Sequence, residues 1–210
     1  MIIILSSHII FEPSLEIVVF KKWGMEMTKV VLYIATSKDG YIADVNGSVD
    51  WLPQTLEETG GQDYGYQEFY DSVDAIAIGR KTYDQILGFG DWPYPGKHSY
   101  IFTRNAVDSS NKDIEFFSGD IKSFIHDLDN RDVKKLWLVG GAELIDAFYQ
   151  QGRIDEFIVT VFPTVLKSGI PLKTLTDAQK RGEVIKLHST NYALGVLQDR
   201  YVNKDYALND

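Results

Sequence analysis

Two stretches of this chain put anion-binding chemistry at the same kind of place. In AIAIGRKTYDQI, residues 75–86, an apolar run ends at Gly79 and is followed by Arg80, Lys81 and Thr82. In KKLWLVGGAELIDAF, residues 134–148, an apolar run ends at Gly140-Gly141 and is followed by Ala142, Glu143 and Leu144. Each pattern reads as a buried strand, a tight glycine turn and the start of a helix. The first N–H groups of a helix lack intrahelical acceptors and the helix dipole is positive there, so an anion is favoured. Glycine lacks the Cβ that would hold a phosphate away from the backbone. Cations belong at helix C-termini by the same dipole, so Arg80 and Lys81 require a negative partner. A third apolar run, HSYIFT, ends at Thr103-Arg104, another hydroxyl beside a cation. Ligands of open α/β sheets bind beyond the carboxyl ends of the strands. Three such ends fit one extended ligand with several phosphates, such as a dinucleotide. G-x-G-x-x-G and G-x-x-x-x-G-K-[ST] are both absent, which argues against the usual dinucleotide fingerprint and against a nucleoside triphosphatase.

The surrounding composition restricts what else the chain can be. Its 210 residues suffice for one good-sized domain. A net charge of −9 argues against a general nucleic-acid or anionic-membrane surface. With no cysteine and four scattered histidines, neither a disulfide framework nor a metal site is expected. No apolar run is long enough to span a membrane.

The strands that position the three turns are continuous apolar runs. Residues 29–36, 74–78, 98–103, 114–117, 136–139 and 154–162 read as strands. Helices are expected over 63–70, 82–87, 121–128 and after Gly141, with irregular chain over 53–61 and a loop over 167–171. Residues 184–192 and 196–202 read as a closing hairpin around 193–195. Strands alternating with helices, then a hairpin, predict a three-layer α/β domain with a mostly parallel sheet and an antiparallel edge. The domain is expected over 28–210, with residues 1–27 as an extension outside it.

The motifs carry a family resemblance. IGRKTYDQI, LVGGAELIDAF and YIATSKDGYIA followed by DWLP resemble segments of the dihydrofolate reductases. DGYIAD…G…DWL and the closing hairpin look closer still to the reductase domain of bifunctional riboflavin-biosynthesis enzymes and its small stand-alone bacterial relatives. The resemblance, over about residues 28–203, implies a dihydrofolate reductase-like fold, NADPH as cofactor, a homodimer and a cytoplasmic enzyme. It implies hydride transfer to a pyrimidine- or pteridine-like heterocycle, most like 5-amino-6-(5-phosphoribosylamino)uracil. The alternatives are a true dihydrofolate reductase and a non-enzymatic NADPH-binding protein.

By the same resemblance Gly79, Arg80, Lys81 and Thr82 would hold the pyrophosphate side. Thr103 and Arg104 would meet the ribose and its 2′-phosphate, and Gly140, Gly141, Ala142, Glu143 and Leu144 would pack on the pyrophosphate and nicotinamide ribose. Ala35 would lie near the nicotinamide, with Asp39, Trp51 and Thr160 toward the substrate. Asp63 and Glu68 are the candidate proton donors. By spacing Asp63 lies where the dihydrofolate reductases place their acid, but it also reads as a helix N-cap, the reading favoured over catalysis. Lys38 and Lys167 are the candidates for a substrate phosphate.

Overall fold

The computed structural model describes residues 27–105, 109 and 111–208. Except for Met27, the expected N-terminal extension lies outside them. The elements alternate along the chain. They run β1 (Lys29–Thr36), β2 (Tyr41–Ala43), α1 (Trp51–Glu58), α2 (Tyr66–Ser72), β3 (Ala75–Gly79), α3 (Arg80–Leu87), β4 (His98–Phe102) and β5 (Ile114–Phe117). They continue with α4 (Ile121–Asn130), β6 (Lys135–Gly140), α5 (Ala142–Gln150), β7 (Glu156–Val161), β8 (Ile170–Pro171), α6 (Lys173–Arg181), β9 (Val184–Asn191), β10 (Leu197–Asn203) and α7 (Lys204–Ala207).

Eight strands form one sheet in the order β5-β4-β3-β6-β1-β7-β10-β9. Pairing is parallel from β5 through β7 and antiparallel at β7–β10 and β10–β9. A parallel sheet is stable when both faces are covered, and the strand sequences reflect that. In β1, Val30 and Leu32 pack into a core with Phe124, Ile125, Ile145, Phe148 and Leu175 of α4, α5 and α6. Val31 faces the opposite way, toward Phe69 of α2 and Tyr83 and Ile86 of α3. Both faces of β1 are therefore apolar, which gives the continuous run KVVLYIAT its form. Phe148, Phe157 and Leu138 are completely buried. Each such side chain contributes about 1.5–3 kcal/mol by leaving water.

Several segments differ from the sequence-based expectation. Residues 51–58 form α1 instead of irregular chain. Pro53 falls in its first turn, where a backbone N–H would have no intrahelical acceptor, so proline costs little there. Helix α6 was not anticipated: Thr174, Leu175 and Ala178 are its buried residues, too few apolar positions for a clear stripe. Within the expected loop over 167–171, Ile170 and Pro171 pair with β2.

Candidate active site

The three strand ends lie side by side. β4, β3 and β6 are neighbours in the sheet, with Gly79 opposite Phe102 and Ile78 opposite Gly140. A large cleft of about 1640 Å³ opens over them. Its walls include Ala35, Trp51, Gly79, Arg80, Lys81, Thr82, Thr103, Arg104, Gly141, Ala142, Glu143 and Leu144. Of the cofactor residues expected from the sequence, Gly140 alone is not on the wall; it is buried beneath it.

Helices α3 and α5 both start at this cleft. Their caps, Gly79 and Gly141, offer no side chain to the first-turn N–H groups. Those groups remain available to an anion. The glycines also pack on one another. A Cβ on Gly79 would lie 3.4 Å from both the Gly140 oxygen and the Gly141 nitrogen. A Cβ on Gly141 would come within 2.9 Å of the Thr82 hydroxyl, closer than real Cβ contacts come. Gly140 has φ of 127°, a conformation that side chains disfavour, and the Gly140–Gly141 peptide is cis.

The two cations at the start of α3 have the negative partners that the dipole argument required. Arg80 donates from Nε to both carboxylate oxygens of Asp84, at 2.8 and 2.9 Å, one turn along α3. Its guanidinium lies 5.4 Å from the centre of the Phe116 ring. Lys81 reaches Glu143 on α5 at 2.7 Å, bridging the two helix starts. That hydrogen bond and the charge of Lys81 hold the Glu143 carboxyl below its ordinary pKa. Both partners are highly exposed, so the pair contributes little to stability and can exchange for a ligand phosphate. Thr103 donates to the Asn105 carbonyl at 3.2 Å, and Arg104 is exposed at the rim.

A second, smaller cleft of about 330 Å³ adjoins the first. The two share Tyr33, Ala35 and Leu52 as walls. The smaller one is otherwise bounded by Leu56, Gln62, Asp63, Tyr64, Tyr66, Thr160 and Phe162. Ala35 and Thr160 are direct partners across β1 and β7, so strand register alone brings them together.

A hydrogen-bonded network lies behind this cleft. Gln198 on β10 donates from Nε2 to the Thr160 hydroxyl at 2.9 Å, the Tyr64 carbonyl at 3.0 Å and the Tyr33 hydroxyl at 3.3 Å. Tyr33 in turn donates to the Tyr64 carbonyl at 3.1 Å. Burial raises the Tyr33 pKa, so its hydroxyl stays protonated at neutral pH. Nothing in the local sequence singles out Tyr33, Tyr64 or Gln198. Tyr33 sits in an apolar run where it reads as core, and only sheet pairing brings Gln198 opposite Thr160.

The remaining candidates have specific positions. Asp63 borders the smaller cleft and is the one acid among its lining residues. Its two oxygens accept from the backbone N–H groups of Gly65 and Gln67, at 3.1 and 3.2 Å, around the start of α2. Glu68 is exposed on α2 and borders neither cleft. Asp39 also borders neither. It accepts from the Ser37 hydroxyl at 2.8 Å and from the backbone N–H groups of Leu166 and Lys167 at 3.2 and 2.8 Å. Desolvation raises its pKa, but these bonds together outweigh that and lower it, and they tie the loop after β1 to the segment before β8. Trp51 begins α1 and borders the large cleft, and its ring Nε1 is buried without an acceptor in the protein. Among the described residues no acid, histidine or cysteine cluster could hold a metal, and no helix is long and apolar enough to cross a membrane.

The sheet thus carries uncapped helix starts and cations at its strand ends, beside an aromatic pocket. Residues 28–196 match the family model described as the RibD C-terminal domain, and the chain belongs to that family. The family is linked to the reductase activity of riboflavin biosynthesis. The uncharacterized protein YwjB of Bacillus subtilis is 39% identical over 170 residues, spanning 76% of this chain and 96% of YwjB. A putative riboflavin biosynthesis protein from Shewanella is 26% identical, with a TM-score of 0.70 over 84% of this chain and 99% of its own. The dihydrofolate reductase of Enterococcus faecalis, solved with NADP(H), is 14% identical with a TM-score of 0.60 over 84% and 96% of the two chains. The fold is therefore dihydrofolate reductase-like, as the motifs implied.

Proposed function

We propose that this chain is an NADPH-dependent reductase of a pyrimidine- or pteridine-like heterocycle. One observation carries the reading: the phosphate-suited cleft and the aromatic cleft meet at Tyr33, Ala35 and Leu52. A dinucleotide laid along the strand ends would bring its nicotinamide to Ala35, against a ring held in the smaller cleft. The residues present fit such a cofactor. Gly141 leaves open the approach that a Cβ would fill, the starts of α3 and α5 are uncapped, and Arg80, Lys81 and Arg104 border the same cleft. Arg104 suits a 2′-phosphate by its forked guanidinium.

When bound, NADPH supplies a hydride from C4; with one proton this reduces a C=N bond to CH–NH and leaves NADP⁺. The protein's part is alignment and exclusion of water. Leu52, Leu56 and Phe162 keep the smaller cleft apolar, while Gln198 fixes the Tyr33 and Thr160 hydroxyls. Both carboxylate oxygens of Asp63 are engaged in capping α2, which favours ordered water as the route for the proton. The same observation supports a second reading, a nucleotide-binding protein without turnover. The proposal extends to one reductase domain over 28–210, acting as a cytoplasmic homodimer.

Titrating NADPH onto the protein and following its oxidation with dihydrofolate and with 5-amino-6-(5-phosphoribosylamino)uracil separates these readings. NADPH binding with oxidation by either ring supports the reductase, and the preferred ring assigns the class. Binding without oxidation by any heterocycle supports the second reading, and no NADPH binding removes both.

A further inference from the structure

The two clefts differ sharply in charge. Among the described residues, the cations that border the clefts border only the larger one: Arg80, Lys81 and Arg104. Among the described residues lining the smaller cleft there is no lysine, arginine or histidine, and the one charged member is Asp63. Lys38 and Lys167, the candidates for a substrate phosphate, border neither cleft. Their backbone N–H groups are tied to Thr164 and Asp39 in the loops beyond β1 and before β8.

The side chains of Tyr33, Thr160 and Asp63 in the smaller cleft are also engaged. The Tyr33 proton goes to the Tyr64 carbonyl, and the Gln198 amide spans Thr160, Tyr64 and Tyr33. Asp63 takes the backbone N–H groups of Gly65 and Gln67, donors that would otherwise serve an anion at the start of α2. A phosphate entering here would lose water, meet no counter-charge and approach a carboxylate. Apart from the exposed amide of Gln62, the remaining walls are aromatic and aliphatic. Tyr64 and Phe162 meet edge to face at 5.5 Å, as do Tyr33 and Tyr66 at 6.2 Å. A cleft of about 330 Å³ with such walls suits a flat ring system. A phosphoryl arm could reach a cation only by entering the large cleft, where it would compete with the cofactor's own phosphates.

We propose that the smaller cleft takes an uncharged planar heterocycle without a phosphate, so that this chain's ring substrate is the unphosphorylated base or nucleoside. The inference rests on the reductase reading for its cofactor, and concerns only what the second cleft admits.

The test uses the full chain saturated with NADPH. It is titrated calorimetrically with 5-amino-6-(ribosylamino)uracil and with its 5′-phosphate, and NADPH absorbance is followed in parallel. The unphosphorylated probe is expected to bind about 10-fold tighter or better, a difference of about 1.4 kcal/mol. Gln62→Lys places a cation on the wall of the smaller cleft and should narrow the preference about fivefold. Equal or tighter binding of the phosphate overturns the inference and leaves the reductase intact, as does a preference that Gln62→Lys does not move. Preferential binding of the unphosphorylated ring without NADPH oxidation upholds the inference while the reductase reading fails. Binding of neither probe overturns the inference, and the reductase reading then stands or falls on NADPH oxidation with dihydrofolate.

Discussion

The two clefts share three walls but are built on different physics. The larger one is made from backbone: uncapped helix starts at Gly79 and Gly141, close-packed glycines, and long cations paired only with exposed carboxylates. Its affinity for a ligand would come from charge and from unsatisfied N–H groups, and would fall with salt. The smaller one is made from side chains. Its aromatic walls are backed by a network that satisfies itself, so selectivity there would come from shape and from the cost of burying charge. A cleft lined by exposed, exchangeable charges can accept any ligand with suitably spaced phosphates. A cleft with aromatic walls and few free donors selects a ring by shape and rejects charge. This division suits a protein that combines a common cofactor with a particular ring.

The most severe way to break this comparison is Gly141→Val. Its side chain, at the start of α5, would collide with Thr82 of α3, and NADPH affinity should fall about 100-fold or more. Calorimetry checks this, with circular dichroism confirming the fold. Retained NADPH affinity would mean the glycine pair serves packing alone.

Gln198→Leu should act in the opposite sense. It removes the donor that orders Thr160 and Tyr33, and leaving those groups short of a partner costs about 1–3 kcal/mol. A loss of about 30-fold in kcat/KM for the ring is expected, with NADPH affinity unchanged within about twofold. A matching drop in NADPH affinity would show that the clefts are not separable.

Arg104→Ala sharpens the larger cleft. NADPH should weaken about 10-fold while NADH changes less than about threefold. Equal losses for both cofactors would remove the 2′-phosphate assignment.

The smallest effect is a control away from both clefts. Buried Glu156 meets Lys29 at 2.7 Å and also pairs with Arg200. Although burial raises its pKa, these two partners lower it further, to a net value below the ordinary glutamate range. A depressed folded-state pKa means that the stabilisation is complete above the unfolded value of about 4.5 and is lost as pH falls through the folded value. Glu156→Gln should therefore cost about 1 kcal/mol at neutral pH, because partly exposed Arg200 is screened by solvent. Urea unfolding at neutral pH and near pH 3 should show that penalty shrinking in acid, with both ligand affinities unchanged. A penalty that does not depend on pH would make the role one of packing.

Much of the larger cleft was legible in the sequence because its chemistry is local. A strand end, a glycine and a helix start are consecutive residues, so Gly79–Thr82 and Gly140–Leu144 could be read directly. Even the need for a negative partner followed from the dipole, although Asp84 and Glu143 were identified as those partners only by the structure. The smaller cleft was mostly illegible. Ala35, Thr160 and Gln198 come from β1, β7 and β10, and only the register of those strands makes them neighbours. Asp63 reads as both a cap and a proton donor; the structure shows its oxygens accepting from the Gly65 and Gln67 backbone, and Glu68 exposed and bordering neither cleft.

By itself, then, the sequence determined the alternating α/β order, the three phosphate-suited strand ends and the closing hairpin, because each depends on residues adjacent in the chain. Tertiary structure decided that the three ends are contiguous, that Pro53 lies inside a helix, and that a neutral aromatic pocket adjoins the cationic cleft at Ala35. Those outcomes depend on strand order and register, which bring together side chains more than 100 residues apart and which no local pattern specifies.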